Sequence, residues 1–189
     1  EKDADCLVLS GDLSNDYSQE SYNNLMRLLQ GFNLPIYLMS GNHDSPPLLK
    51  ELSNKYDVHF KNFDSFNNWG LFMFNTKKDN SSSGILDNDE LLYFDEILEN
   101  NSYENIIVFL HHHPVLIGSP VMDTMVIENA DLLLKRIKKS SLKEVVTTNT
   151  ITTTSLENKN KIRRLSIAPL IAEAVKRIDN HSSVSSLFN

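Results

Sequence analysis

The sequence predicts an α/β fold, and two observations carry the prediction. Short apolar runs that stop at a glycine or a polar cluster recur through the first two thirds of the chain, and amphipathic segments with helical spacing separate them. A run that is apolar at every position suits a strand covered on both faces. Alternation of such strands with helices is the pattern of sheets flanked by helices.

The elements follow in order. Asp5 to Ser10 (DCLVLS) reads as a buried strand ending at Gly11. Ser18 to Leu29 places Tyr22, Leu25, Met26, Leu28 and Leu29 on one helical stripe, with Ser18 at the N-cap. Leu34 to Ser40 (LPIYLMS) is a second buried strand, ending at Gly41. A helix between two such strands predicts parallel neighbours in a right-handed crossover. Pro46-Pro47 opens a helix to about Tyr56. Asn68 to Asn75 (NWGLFMFN) is a third strand, Lys77 to Ser83 a polar loop, and Asp87 to Leu98 a helix with acidic residues in its first turn. Ile106 to Leu110 (IIVFL) is a further buried strand that runs into His111, His112 and His113. Glu128 to Lys139 is a helix with a basic C-terminal end.

After about Val146 the character changes. Thr147 to Thr154 holds six threonines in eight residues, and Glu157 to Arg164 is polar and basic. Ser166 to Ile178 has helical spacing, and His181 to Asn189 reads as a frayed tail. The organisation expected is therefore a domain over 1–146 and a divergent segment over 147–189.

Bulk properties narrow the function. The 189 residues suffice for one domain with a real core. A net charge of -7 argues against nucleic acid as a main partner, because phosphate backbones call for a basic face. There is no membrane-spanning apolar stretch. The single cysteine, Cys6, cannot form an internal disulfide; it reads as a small buried hydrophobe in a reducing, cytoplasmic setting.

Three predicted strands end in groups able to bind metals or phosphate. The first ends in GDLSND, the second in GNHD, the third in HHHP. Ligands of open α/β sheets bind where strands reach their carboxyl ends. This brings Asp12, Asn42, His43 and one histidine of the triplet to a common edge. Each has an ordinary alternative: Asp12 as a turn or cap residue, Asn42 and His43 as loop polar groups, the histidines as a chance cluster. Imidazoles closing a fully apolar strand are costly without a purpose, and the ordered set favours a metal site. His59 reads as a partly buried structural histidine. Asp16 and Asp44 read as turn groups supporting the site. Asp123 and Glu128 read as helix caps ahead of pocket residues. No base accompanies Ser10 or Ser14, so serine-nucleophile chemistry has no support.

GDLSND, GNHD and HHHP, in this order, resemble motifs of the calcineurin-like metallophosphoesterases. The nearer likeness is to the class III cyclic nucleotide phosphodiesterases and related bacterial glycerophosphodiesterases. Gly84 to Leu98 (GILDNDELLYFDEIL) and Gly118 to Leu134 (GSPVMDTMVIENADLLL) resemble that branch as well. The resemblance implies a four-layer α-β-β-α sandwich of two mixed sheets flanked by helices. It implies that Asp12 bridges two metals, that Asn42 and His111 ligate the second metal, and that His43 contacts the phosphate and aids the leaving group. His112 is the runner-up to His111 as ligand. It further implies two divalent metal ions of the Mn, Fe, Zn or Mg type, hydrolysis of a small phosphoester by a metal-held hydroxide, and a homodimer.

The chain departs from the family at both ends. The Asp-x-His motif that precedes GD lies outside it, and VVTTNTITTT stands where the family has Gly-His-x-His. The domain is thus expected to be incomplete, with this chain alone holding one metal, and the abrupt change after Val146 suggests a frame change. The rival expectation is a catalytically inactive fragment or remnant that acts at most as a binding module.

Overall fold

The computed structural model describes residues 4–66, 68–100, 103–140, 145–148, 162–165 and 168–180. They fall into two compact units. The larger comprises Ala4–Val115 with Thr124–Ser141; the other comprises Glu1–Asp3, Leu116–Asp123 and Leu142–Asn189.

The larger unit contains two sheets. In the first, β1 (Leu7–Leu9) and β2 (Ile36–Leu38) are parallel, with Leu7 opposite Ile36 and Leu9 opposite Leu38. The intervening helix α1 (Gln19–Leu28) makes the crossover. Ser18 caps it as expected, its hydroxyl accepting the Ser21 amide at 3.1 Å. The second helix, α2 (Pro46–Lys55), follows β2 directly.

The second sheet has the order β3 (Phe63–Phe66), β4 (Trp69–Met73), β5 (Asn105–Phe109). β3 and β4 form a tight antiparallel hairpin, whereas β4 and β5 are parallel, joined through α3 (Asn88–Asn100). This sheet is mixed, as expected for both, whereas the two described strands of the first sheet are parallel. β3 is an addition to the sequence reading: FDSF alternates polar and aromatic residues and lacks a continuous apolar run.

Side-chain alternation explains the layering, since successive strand residues face opposite ways. Leu7, Leu9, Ile36 and Leu38 face out to Tyr22 and Met26 of α1 and to Leu49 and Leu52 of α2. Cys6, Val8, Tyr37 and Met39 face in, against Leu71, Met73, Phe66 and Phe109 of the second sheet. On its far side Phe72 and Phe74 pack on Phe94 of α3, with ring centroids 4.9 and 5.3 Å apart. The helix α4 (Ala130–Lys139) lies beside α3, where Arg136 Nε contacts both Asp95 carboxylate oxygens at 2.8 and 2.9 Å. Helices, sheet, sheet and helices make four layers, the fold class the sequence led us to expect. Full burial of an aromatic ring contributes about 2–3 kcal/mol, so the Phe72–Phe74–Phe94 cluster is a main anchor of α3.

Glu90, in α3, ties that helix to the end of β4. It accepts the Asn75 amide at 3.2 Å and the Asn62 side-chain amide. Burial pushes its carboxyl up from 4.5 to about 7. The native state therefore holds this proton more tightly than the unfolded chain does. The resulting stabilisation is fully present below about pH 4.5 and is lost as pH rises through 7. Glu90→Gln should remove up to about 3 kcal/mol of this fall in stability between pH 5 and 8. Melting temperatures across that range check it; an unaltered slope in the variant would contradict it.

The smaller unit contains a parallel pair, β6 (Val145–Thr148) and β7 (Ile162–Leu165), with Val145 opposite Ile162. It also contains α5 (Ala168–Asp179), close to the helix expected over 166–178. The sequence division at residue 146 falls inside β6. Neither strand was expected there, because threonine-rich and arginine-bearing segments give no apolar run. The segment 181–189 lies outside the described residues.

Candidate metal centre

Parallel pairing brings the carboxyl ends of the strands to one edge, and the turns that follow them carry the site. After β1 the chain passes through Gly11 (φ 103°) and Asp12 (φ 55°). A left-handed backbone is tolerated by glycine but strained at aspartate by about 1 kcal/mol or more, which marks Asp12 as a held position. Space is also limiting. A Cβ on Gly11 would meet the Gly41 amide nitrogen at 2.8 Å and collide with His111 Nδ1.

Asp12, Asn42 and His111 converge. His111 Nε2 stands 3.3 Å from Asn42 Oδ1 and 3.4 Å from Asp12 Oδ1. The other ring nitrogen, Nδ1, lies 2.9 Å from the Ser10 carbonyl oxygen. A carbonyl can only accept, so Nδ1 carries a hydrogen and donates. In the neutral ring the lone pair is then on Nε2, aimed at two oxygen acceptors. Electron-rich atoms gathered this way suit a cation between them, and pinning the far ring nitrogen is how histidine ligands are oriented. A carboxylate, an amide oxygen and an imidazole form a mixed oxygen–nitrogen set that fits a borderline divalent ion. Among the described residues no group of three or more His, Cys, Asp and Glu is placed to hold a metal; the converging set is one carboxylate, one amide and one imidazole.

His43 follows Asn42. Its amide donates to Asp12 Oδ1 at 3.0 Å, and its exposed ring stacks on Tyr17, with centroids 6.3 Å apart and planes at 26°. His112, the alternative ligand, turns away. It is buried, with Nδ1 2.7 Å from Thr76 Oγ1 and its ring against Gly84. Burial, with His111 alongside, lowers it to about 4, so the ring is neutral. His112 thus stands apart from Asp12 and Asn42, and His111 is the histidine of the triplet that stands beside them.

The two loops are joined by Asp44, which is fully buried. Its carboxylate accepts from Leu13 N at 2.9 Å, Ser14 N at 3.1 Å, Gly41 N at 2.8 Å and the Tyr22 hydroxyl at 3.0 Å. Asp16 stays local, accepting the Ser18 amide at 3.0 Å. Asp123 accepts Ile117 N at 2.7 Å and Gly118 N at 3.1 Å, which makes it a loop cap. Glu128 pairs with Lys78 and Ser83, both at 2.7 Å. His59 packs on Tyr37, with centroids 5.1 Å apart.

Sequence reasoning missed Tyr17 and Lys77. The Tyr17 hydroxyl and Lys77 Nζ each donate to the Asn42 carbonyl oxygen at 2.8 Å. The signal was present for Lys77: it follows β4, and the polar end of that strand was not counted among the converging strand ends.

Comparison with known proteins decides the family. The model of the calcineurin-like phosphoesterases matches residues 1–138. The chain belongs to the calcineurin-like phosphoesterase family. Members of this family generally bind divalent metals, in keeping with the donor set above. Among its relatives, a protein named a probable cyclic nucleotide phosphodiesterase from Xenorhabdus bovienii is 27% identical over 141 residues, 72% of this chain and 57% of the relative. One of the same name from Synechococcus is 31% identical over 137 residues, 72% of this chain and 53% of the relative. The 3',5'-cyclic adenosine monophosphate phosphodiesterase CpdA of Pseudomonas aeruginosa is 27% identical over 129 residues, 68% of this chain and 47% of the relative. This calcineurin-like chain spans about half the length of the curated relatives it matches. Among the described residues no helix is long and apolar enough to cross a membrane.

Proposed function

We propose that this calcineurin-like chain takes part in metal-dependent hydrolysis of a small phosphodiester, a cyclic nucleotide or a glycerophosphodiester. The observation that carries the reading is the approach of Asp12 Oδ1 and Asn42 Oδ1 to His111 Nε2, with His43 alongside. In this reading Asp12, Asn42 and His111 hold one divalent cation, and Asp12 is the group able to bridge to a second. A divalent ion bound there would polarise a phosphoryl oxygen and make water a stronger nucleophile. His43, exposed in the cleft beside these donors, is positioned to give a proton to the leaving oxygen. The relatives' names support a cyclic nucleotide as substrate, and the lone cysteine suits a cytoplasmic setting.

The test is hydrolysis of bis(p-nitrophenyl) phosphate by the 189-residue chain with added manganese. Turnover should appear and fall by about 100-fold in His43→Ala, the usual contribution of one acid–base group. A second reading, an inactive remnant, draws on the small donor set among the described residues. A folded chain that binds manganese yet gives no turnover would select that second reading.

A further inference from the structure

A cleft of about 660 Å³ opens beside the metal donors and is lined in part by Tyr17, Asn42, His43, Lys77 and Asp79. Lys77 enters it from the segment after β4. Its ammonium donates to the Asn42 carbonyl at 2.8 Å and lies 5.2 Å from the centre of the Tyr17 ring. Tyr17 in turn stacks on His43. The ammonium has three donors, and Asn42 uses one of them. Among the described residues no carboxylate pairs with Lys77, Asp79 included. Its neighbour Lys78, by contrast, is matched to Glu128 at 2.7 Å. A half-buried cation without a counter-ion among the described residues, in a chain of net charge -7, is a site for an arriving anion.

We propose that Lys77 recognises the negative charge of the phosphodiester, with its Asn42 and Tyr17 contacts holding the ammonium in the cleft that His43 also lines. This rests on the phosphodiesterase reading and adds to it the residue that selects an anion of that class. Arrival of a phosphate oxygen would engage the donors that Asn42 leaves open. Lys77 is then a substrate-binding residue; the plainer role, a tie that only fixes the Asn42 loop, predicts a different pattern.

Isothermal titration of bis(p-nitrophenyl) phosphate into the full chain, with and without manganese, separates these roles. Lys77→Met should weaken binding by about 10- to 100-fold, the usual effect of losing a charge-assisted hydrogen bond, and Lys77→Arg should restore part of it. Manganese affinity, titrated on the same Lys77→Met protein, should be retained or rise, because the positive charge removed lies close to the donor set and contributes no donor to it. Three results overturn the inference: equal phosphodiester binding by Lys77→Met, loss of manganese binding in that variant, or no phosphodiester binding by the parent chain. Lys77-dependent binding without turnover would leave this inference standing and remove the hydrolase reading. Turnover with unchanged binding in Lys77→Met would do the reverse.

Discussion

Asp44→Ala should destabilise the larger unit by about 3–5 kcal/mol. The carboxylate has no solvent exposure and is the acceptor for four donors in three segments: Leu13 N and Ser14 N after β1, Gly41 N after β2, and the Tyr22 hydroxyl of α1. Truncation leaves three backbone amides without their acceptor in a site too enclosed for easy replacement by water. A buried amide without a partner costs about 1–3 kcal/mol. Tyr22 is affected as well, because its oxygen also accepts the Ser45 amide at 2.8 Å, so the start of α2 loosens with it. Against a typical domain stability of about 5–15 kcal/mol the loss is a large fraction. Asp44→Asn should fall between the two, since one acceptor survives and the new amide hydrogens face other donors. Urea denaturation of the three proteins checks this. A change below about 1 kcal/mol in Asp44→Ala would refute the account.

Gly41→Ala should disrupt the proposed metal site while leaving most of the fold. The added methyl would meet the Asp12 backbone nitrogen and His111 Cε1, each at 2.6 Å, and would collide with the Asp12 carboxylate. A flexible side chain can swing aside, but a backbone nitrogen cannot, so the loops after β1 and β2 must separate. Overpacking of this kind costs about 1–3 kcal/mol. The functional cost is larger, because Asp12 and Asn42 leave their positions around His111 Nε2. A displacement of about 1 Å commonly costs about 100-fold in a site that depends on geometry. Manganese titration should show a loss of that order, with a melting transition still present. Parental manganese affinity in Gly41→Ala would show that the donors do not act as one set.

The sequence carried much of the site because its signals are local. DCLVLS, LPIYLMS and IIVFL announce strands by composition alone, although only the second strand proves buried throughout, and the residues that follow each of them are fixed by chain order. Asp12, Asn42, His43 and the histidine triplet could therefore be assigned to one edge before any coordinate was known. Helices α1, α2, α3 and α4 were legible from spacing, prolines and terminal charge. The segments that escaped were those without such a signature: β3 with its polar Asp64 and Ser65, β6 with Thr147 and Thr148, and β7 with Arg163 and Arg164.

Other features belong to the tertiary structure alone. Three adjacent histidines are chemically equivalent on paper. In space His111 leaves β5 toward Ser10, Asp12 and Asn42, while the next residue turns the opposite way, beneath Gly84 and against Thr76. Asp44 reads as a turn residue in isolation, yet it joins groups 31 residues apart. Lys77 reads as loop charge, yet folding sets it on the carbonyl of Asn42, 35 positions earlier in the chain. The sequence by itself determined the strand ends, their order and the residue types they bring. Only the folded chain decided which histidine joins Asp12 and Asn42 and which side chains hold and charge the cleft. Those choices depend on which way each side chain leaves the backbone and on donors and acceptors far apart in sequence, neither of which local composition encodes.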